Sequence, residues 1–337
     1  MPHSDTSNSR KRTSRSVLCG AVVTAGLAAV GVGAATPANA SCASFSGITI
    51  GSGCTSKLFG VAIGLGAGAT ADAGGAFSTS FSIGKGAAAT TAGALDLAVA
   101  AGPASSASVL GGALNIAAAG PASSASVLGG ALNIAVAAGA TGGNQYAQYA
   151  QAESGWSKSD FANLAVTLGN DSYAFAGGPT ATNLGAGNIA VNLGTGNDVE
   201  SIGFLNGALN IGGKDPYLNN VVFAYGFGNS ATNVGGNVNT VTAGTTTSSV
   251  ANSAFSIFGN TTTVTAGPGP LALAGSLFQK NATVTKEKPG FNINGLKVPN
   301  TAAAGVTPKA AASRRGAGNA VSPSATVRLK AKKPDTR

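Results

Sequence analysis

Gly102-Pro103-Ala104-Ser105-Ser106-Ala107-Ser108-Val109-Leu110-Gly111-Gly112-Ala113-Leu114-Asn115-Ile116-Ala117 recurs unchanged from Gly120 to Ala135, a shift of 18 residues. A looser echo of its end, Ala94-Leu95-Asp96-Leu97-Ala98, lies just upstream. A fold absorbs such an insertion without damage if the unit is one full coil of a stack, because every neighbouring strand pair then keeps its register. The same insertion in a sandwich would displace a strand pair. The duplication therefore predicts an all-β protein, a β-solenoid of the parallel β-helix kind. Within the unit, Ala104, Leu110, Ile116, Ala122, Leu128 and Ile134 fall every six positions. That spacing predicts three sides per coil and a triangular section, with Asn115 stacked on Asn133 as a ladder.

The same texture continues on both sides of the unit. Phe77-Ser78-Thr79-Ser80-Phe81-Ser82-Ile83, Ile189-Ala190-Val191-Asn192-Leu193 and Leu209-Asn210-Ile211 alternate with period two and are bounded by glycine, the pattern of short half-buried strands. The 51 glycines penalise helices, at about 1 kcal/mol for each one in a helix interior. Hydrophobic residues make up 44% of the chain, yet aromatics are only 6%, so the apolar content is mostly small side chains that suit a thin fold rather than a thick core. A second repeat sets Tyr173-Ala174-Phe175 against Phe223-Ala224-Tyr225 at a shift of 50 residues. Since 50 is not a multiple of 18, the coil is expected to vary or to carry insertions. One departure from the texture, Asn144 to Lys158, is polar and holds the only tryptophan; it reads as a loop or insert on the flank.

The ends differ from the body. Residues 1–40 carry a net charge of +3, residues 41–296 a net charge of −2, and residues 297–337 a net charge of +8. The first forty place Arg10-Lys11-Arg12 and Arg15 before an apolar run from Val17 to Ala35, then Thr36-Pro37-Ala38-Asn39-Ala40. That order is a secretory signal peptide with cleavage between Ala40 and Ser41, the alternative being retention as a membrane anchor. No later stretch is apolar enough to form a transmembrane segment. Removal of Cys19 with the leader leaves Cys42 and Cys54, an even pair expected to form a disulfide in an exported chain. The expected organisation is a signal peptide at 1–40, a disulfide-closed segment at 41–56, a solenoid body at 57–296 and a disordered basic tail at 297–337.

Catalytic chemistry finds little support. The sole histidine, His3, lies in the leader, so the mature chain has no imidazole for a Ser-His or Cys-His arrangement or for a metal. Residues 41–296 hold nine carboxylates, at Asp72, Asp96, Glu153, Asp160, Asp171, Asp198, Glu200, Asp215 and Glu287, and none forms a recognisable constellation. Leu193-Gly194-Thr195-Gly196-Asn197-Asp198-Val199 approximates a calcium-binding nonapeptide, but the next nine residues do not repeat it, and a glycine turn is the better reading. No enzyme, cofactor or metal site is expected.

Two segments carry candidate contacts. Tyr146, Tyr149 and Trp156 sit among amides in the polar insert and read as packing under a loop, or alternatively as a surface that stacks on a sugar or partner. Arg314, Arg315, Lys330, Lys332 and Lys333 lie in a Pro/Ala/Ser-rich stretch without hydrophobic periodicity. They read as a solvated tail or as an electrostatic tether to anionic envelope polymers or a phospholipid surface; specific nucleic-acid binding is not expected. Ala181-Thr182-Asn183-Leu184-Gly185-Ala186-Gly187-Asn188 and Phe227-Gly228-Asn229-Ser230-Ala231-Thr232-Asn233-Val234-Gly235 resemble the repeat regions of the mycobacterial PE-PGRS and PPE-MPTR families. The resemblance covers roughly residues 57–270, is compositional, and lacks the PE or PPE N-terminal domain. It implies a secreted or cell-envelope protein of an actinobacterium. The function expected is therefore structural or interactive at the envelope; the alternatives are an extracellular ligand-binding module, for a glycan through the insert or for calcium through Asp198, and ice binding through Thr240-Val241-Thr242 and Thr261-Thr262-Thr263-Val264-Thr265.

Overall fold

The computed structural model describes residues 41–139, 150–155, 158–178, 185–213 and 219–299. Every regular element among them is a β-strand, and the strands stack into a solenoid of about 11 turns. Successive strands alternate between a sheet of 15 strands and a sheet of 12, parallel except at the ends. Each coil therefore contributes one strand to the first sheet and one to the second.

The duplicated unit is one coil. Ile116 pairs with Ile134 and Ala107 with Ala125, so identical residues stack on identical residues. The coil length varies as the 50-residue spacing required. Val61 to Thr79 is one coil of 18 residues, whereas Ile134 to Leu164 spans 30 and Leu164 to Ile189 spans 25. The longest coil contains the polar insert, but not all of the insert is loop: Ala150–Ser154 forms a strand of the second sheet between Ser123–Val127 and Ser172–Gly177.

The section is two-sided, not triangular. The expected third side is reduced to single-residue parallel bridges, Ala94 to Ala113, Ala113 to Ala131, Ala131 to Phe161 and onward. Directly after each bridge the chain turns sharply through a left-handed residue: Leu95, Leu114, Leu132 and Ala162 all have φ between 54° and 59°. That bend leads straight into the first sheet and leaves no room for a third strand. The residues spaced by six consequently do not point inward together; Leu110 and Ile116 are exposed. The inward set is offset from them and includes Ala107, Val109, Asn115, Ala117 and Ala119.

The interior is narrow. Alanine dominates it, joined by valines such as Val109, Val127, Val199 and Val222, and by buried serine and asparagine. Asparagine satisfies most of its polar groups by laddering, the Nδ2 of Asn252 being buried without a partner. Asp96 Oδ1 accepts from Asn115 N at 2.9 Å, Asn115 Oδ1 from Asn133 N at 3.0 Å, and the chain of contacts continues through Asn163, Asn188, Asn206, Asn229 and Asn252 to Ala272 N. The same side-chain amides donate to carbonyls of the following coil, as Asn163 Nδ2 does to Gly185 O at 2.9 Å. Each amide thus ties two coils together in a space too dry for water to substitute.

Both ends of the first sheet carry hairpins. Ser41–Phe45 runs antiparallel to Ile48–Ile50 and to Val61–Leu65, and Cys42 is joined to Cys54 with their Cα atoms 5.4 Å apart. At the other end Gly290–Ile293 pairs antiparallel with Leu296–Pro299, so the folded body reaches past residue 296. These antiparallel hairpins cap the first sheet, whereas the second sheet ends in the parallel strands Cys54–Ser56 and Thr283–Lys286.

Candidate functional site

The two outer faces differ in chemistry. On the second sheet, the outward positions of the early coils are Thr55, Asp72, Thr90, Ser108 and Ser126, in register from strand to strand. On the first sheet they are aliphatic or aromatic apart from Thr79 and Gly207. Ile63, Phe81, Val99, Ala118, Val136, Val166, Val191 and Leu209 form the central column, with Val61 to Gly207 on one side and Leu65 to Ile211 on the other. The left-handed corner adds a fourth column, in which Phe59, Phe77, Leu95, Leu114, Leu132 and Leu205 are all about half exposed.

This inverts the usual distribution of side-chain size. The interior admits alanine and valine, and the large apolar side chains are left outside because the sheets pack too closely to hold them. They gain partial cover from one another along the columns: Phe59 stacks on Phe77 at 4.9 Å between ring centroids, Phe204 on Phe227 at 5.5 Å, and Leu205 lies over Gly187. Across the first eight coils, the four columns contain one polar side chain, Thr79, and no charge. Such a contiguous apolar surface is larger than the scattered exposed apolar residues of an ordinary soluble surface.

The carboxylates are arranged differently from anything the sequence suggested. Pairing of Tyr173 with Asp198, and of Glu153 with Phe175 and then Glu200, gathers three acids and a phenol on the outer face of the second sheet. The Tyr173 hydroxyl donates to Glu153 Oε2 at 3.2 Å, and burial and the neighbouring acids push its pKa upward. Burial, and then the charge of Asp198, raise the Glu200 carboxyl to about 7; burial alone raises Asp198, whose Oδ1 is enclosed without a partner. Only a register in which Glu153, Phe175 and Glu200 are successive coils brings these groups together, and coils of 22 and 25 residues at those steps hide it from periodicity. Among the described residues no group of three or more acids, cysteines or histidines is arranged to hold a metal ion. The nonapeptide-like stretch is structural: Asn197 is buried, and its Oδ1 accepts from Asn220 N at 3.3 Å. Asp160 is structural too, accepting from Gly185 N at 2.7 Å and from Gly178 N at 3.2 Å.

No family model, curated protein or solved structure matches this chain. Its function is therefore argued from geometry. Of the residues singled out in the sequence, Cys42 and Cys54 are joined as expected, and Ser41 opens the first strand. Ala40, Tyr146, Tyr149, Trp156, Arg314, Arg315, Lys330, Lys332 and Lys333 lie outside the described residues. The apolar face was missed, although its signal was present: the large residues of Leu97-Ala98-Val99-Ala100 and Ile134-Ala135-Val136-Ala137 alternate with alanine, and the alanines are the inward set.

Proposed function

We propose that the protein is an exported structural and interaction protein of the cell envelope, acting through a broad surface and not through a catalytic pocket. One observation carries this reading: an apolar, charge-free face on a rigid solenoid whose interior is filled by small residues and amide ladders. Such a face is covered only in part by its own side chains, so burying the remainder against something else is favourable. The basic tail supplies the second element, an electrostatic tether of +8 to anionic polymers or phospholipid. The test is fractionation of the full chain with isolated envelopes at low and high salt. Wild-type protein is expected to sediment with envelopes at low salt and to be partly released by high salt. Replacement of Arg314, Arg315, Lys330, Lys332 and Lys333 by glutamine should abolish the salt-sensitive part. Protein that stays soluble under every condition would sink the envelope assignment.

A second reading has a specific observation behind it. Thr240 and Thr242, Thr263 and Thr265, and Thr283 and Thr285 fall on three successive coils in register on the outer face of the second sheet. The fragments noted in the sequence therefore form a grid of hydroxyls and methyls, with spacings of about 4.8 Å between coils and ~7 Å along each strand. A grid of this kind fits an ordered water or ice surface. Absence of thermal hysteresis at millimolar protein would remove that reading.

A further inference from the structure

We propose that the apolar outer face of the first sheet is a dimer interface, closed by the same face of a second copy around a two-fold axis. The inference rests on the reading of the chain as an interaction protein and names the partner of its largest surface. Eight coils at ~4.8 Å and four columns at ~7 Å cover an apolar area of roughly 1,000 Å². That is enough to supply the ~800 Å² that each partner contributes to a standard stable interface of about 1,600 Å² in total. The face is also built to receive itself. Its columns run straight along the stack, from Phe81 through Val99 and Val136 to Val191, in unbroken parallel register, so two copies present ridges and grooves of one spacing. Sheets packed face to face in this way sit ~10 Å apart with interdigitated side chains.

Charge argues for a second copy over a lipid surface. No charged side chain stands in the four columns of the first eight coils, so nothing must be desolvated or repelled when two faces meet. The body, residues 41–296, has a net charge of −2 and offers no attraction of its own to an anionic bilayer. An isologous contact needs a single patch that meets its own copy, and it closes without leaving this face open for further growth.

The experiment is sedimentation of the full chain, expressed with residues 1–40 in place and purified as its host processes it, across about 0.5–50 µM, which reaches the weak end of the micromolar-to-picomolar range of interfaces of this size. A dimer is expected. Leu97→Lys and, on a separate coil, Ile189→Lys should each raise the dimer dissociation constant about a hundredfold. Both side chains point outward, so melting and far-UV dichroism should change little, and either variant serves if the other fails to fold. Ser106→Lys and Ser124→Lys, on the outer face of the second sheet, should leave the dimer intact. A wild-type monomer at 50 µM, or a dimer indifferent to Leu97→Lys and Ile189→Lys, would overturn the proposal. A monomer that floats with phosphatidylcholine vesicles and loses that binding on Leu97→Lys would also overturn it, and would assign the face to lipid. Envelope fractionation is a separate readout: tail-dependent sedimentation by a monomer would leave the functional reading standing and remove only the dimer.

Discussion

Asn188 shows what a single side chain contributes to this fold. Its Oδ1 accepts from the Asn206 backbone at 3.2 Å and its Nδ2 donates to Gly203 O at 2.6 Å, both inside the stack. Asn188→Ala strands the buried N–H of Asn206 and leaves Gly203 O with only the Ala186 N–H, and should cost about 1–3 kcal/mol in urea unfolding. Asp96 occupies the first ladder position, where the following coils carry asparagine. A carboxylate there has no amide hydrogens to donate, and burial pushes its pKa upward against the hydrogen bonds that favour the charge. The folded state therefore holds the proton more tightly than the unfolded chain, so this group's contribution to stability declines as pH rises above the ordinary aspartate value. Asp96→Asn should raise the melting temperature at pH 7 and should have little effect near pH 3; equal effects at both would contradict the assignment. Glu200 follows the same sign. Its carboxyl is raised from 4.5 to about 7, so melting temperature should fall between pH 4.5 and 7 and Glu200→Gln should flatten that slope.

At the scale of the coil, the corners decide what is permitted. Gly194 follows a first-sheet strand with φ of 154°, and a Cβ there would collide with the carbonyl oxygen of Gly212 on the next coil. Gly194→Ala should destabilise the chain measurably by thermal melting, because the next coil cannot move without losing its own ladder. The opposite corner tolerates side chains in the left-handed region, where leucine pays roughly 1–2 kcal/mol that glycine does not. Leu95, Leu114 and Leu132 carry that cost while only about half buried, and add to the apolar columns. The duplicated unit gives the sharpest test of coil length. Deleting residues 102–119 joins Ala101 to a copy of the sequence that followed it, removing one coil and restoring every pairing. That deletion should retain a cooperative melt and the far-UV dichroism of the parent. Deleting residues 102–110 alone removes half a coil, throws the sheets out of register and should abolish the fold.

Over the whole molecule, stability is nearly one-dimensional, a sum over coils and the contacts between neighbours. The Cys42–Cys54 bridge closes a separation of 12 residues at one end. Its loss should cost roughly 3 kcal/mol, felt at the cap through earlier hydrogen exchange in Ser41–Leu65 and not in distant coils. Much of this architecture was legible in the chain. The exact 18-residue duplication specified a stack of coils, the period-two runs specified strands, and Asn115 and Asn133 specified a ladder, because each follows from local spacing. The asparagine ladder proved far longer than the two residues that announced it, since Asn163 and Asn188 enter only after coils of irregular length. Sequence by itself determined the solenoid, the disulfide pair and the absence of histidine from residue 41 onward. Tertiary structure alone decided that the coil has two sides, that Glu153, Tyr173, Asp198 and Glu200 meet, and that the large apolar residues stand outside. The physical reason is the same in each case. Period two separates a strand's faces without saying which is inside, and that choice is made only when two sheets approach closely enough to admit alanine and refuse leucine.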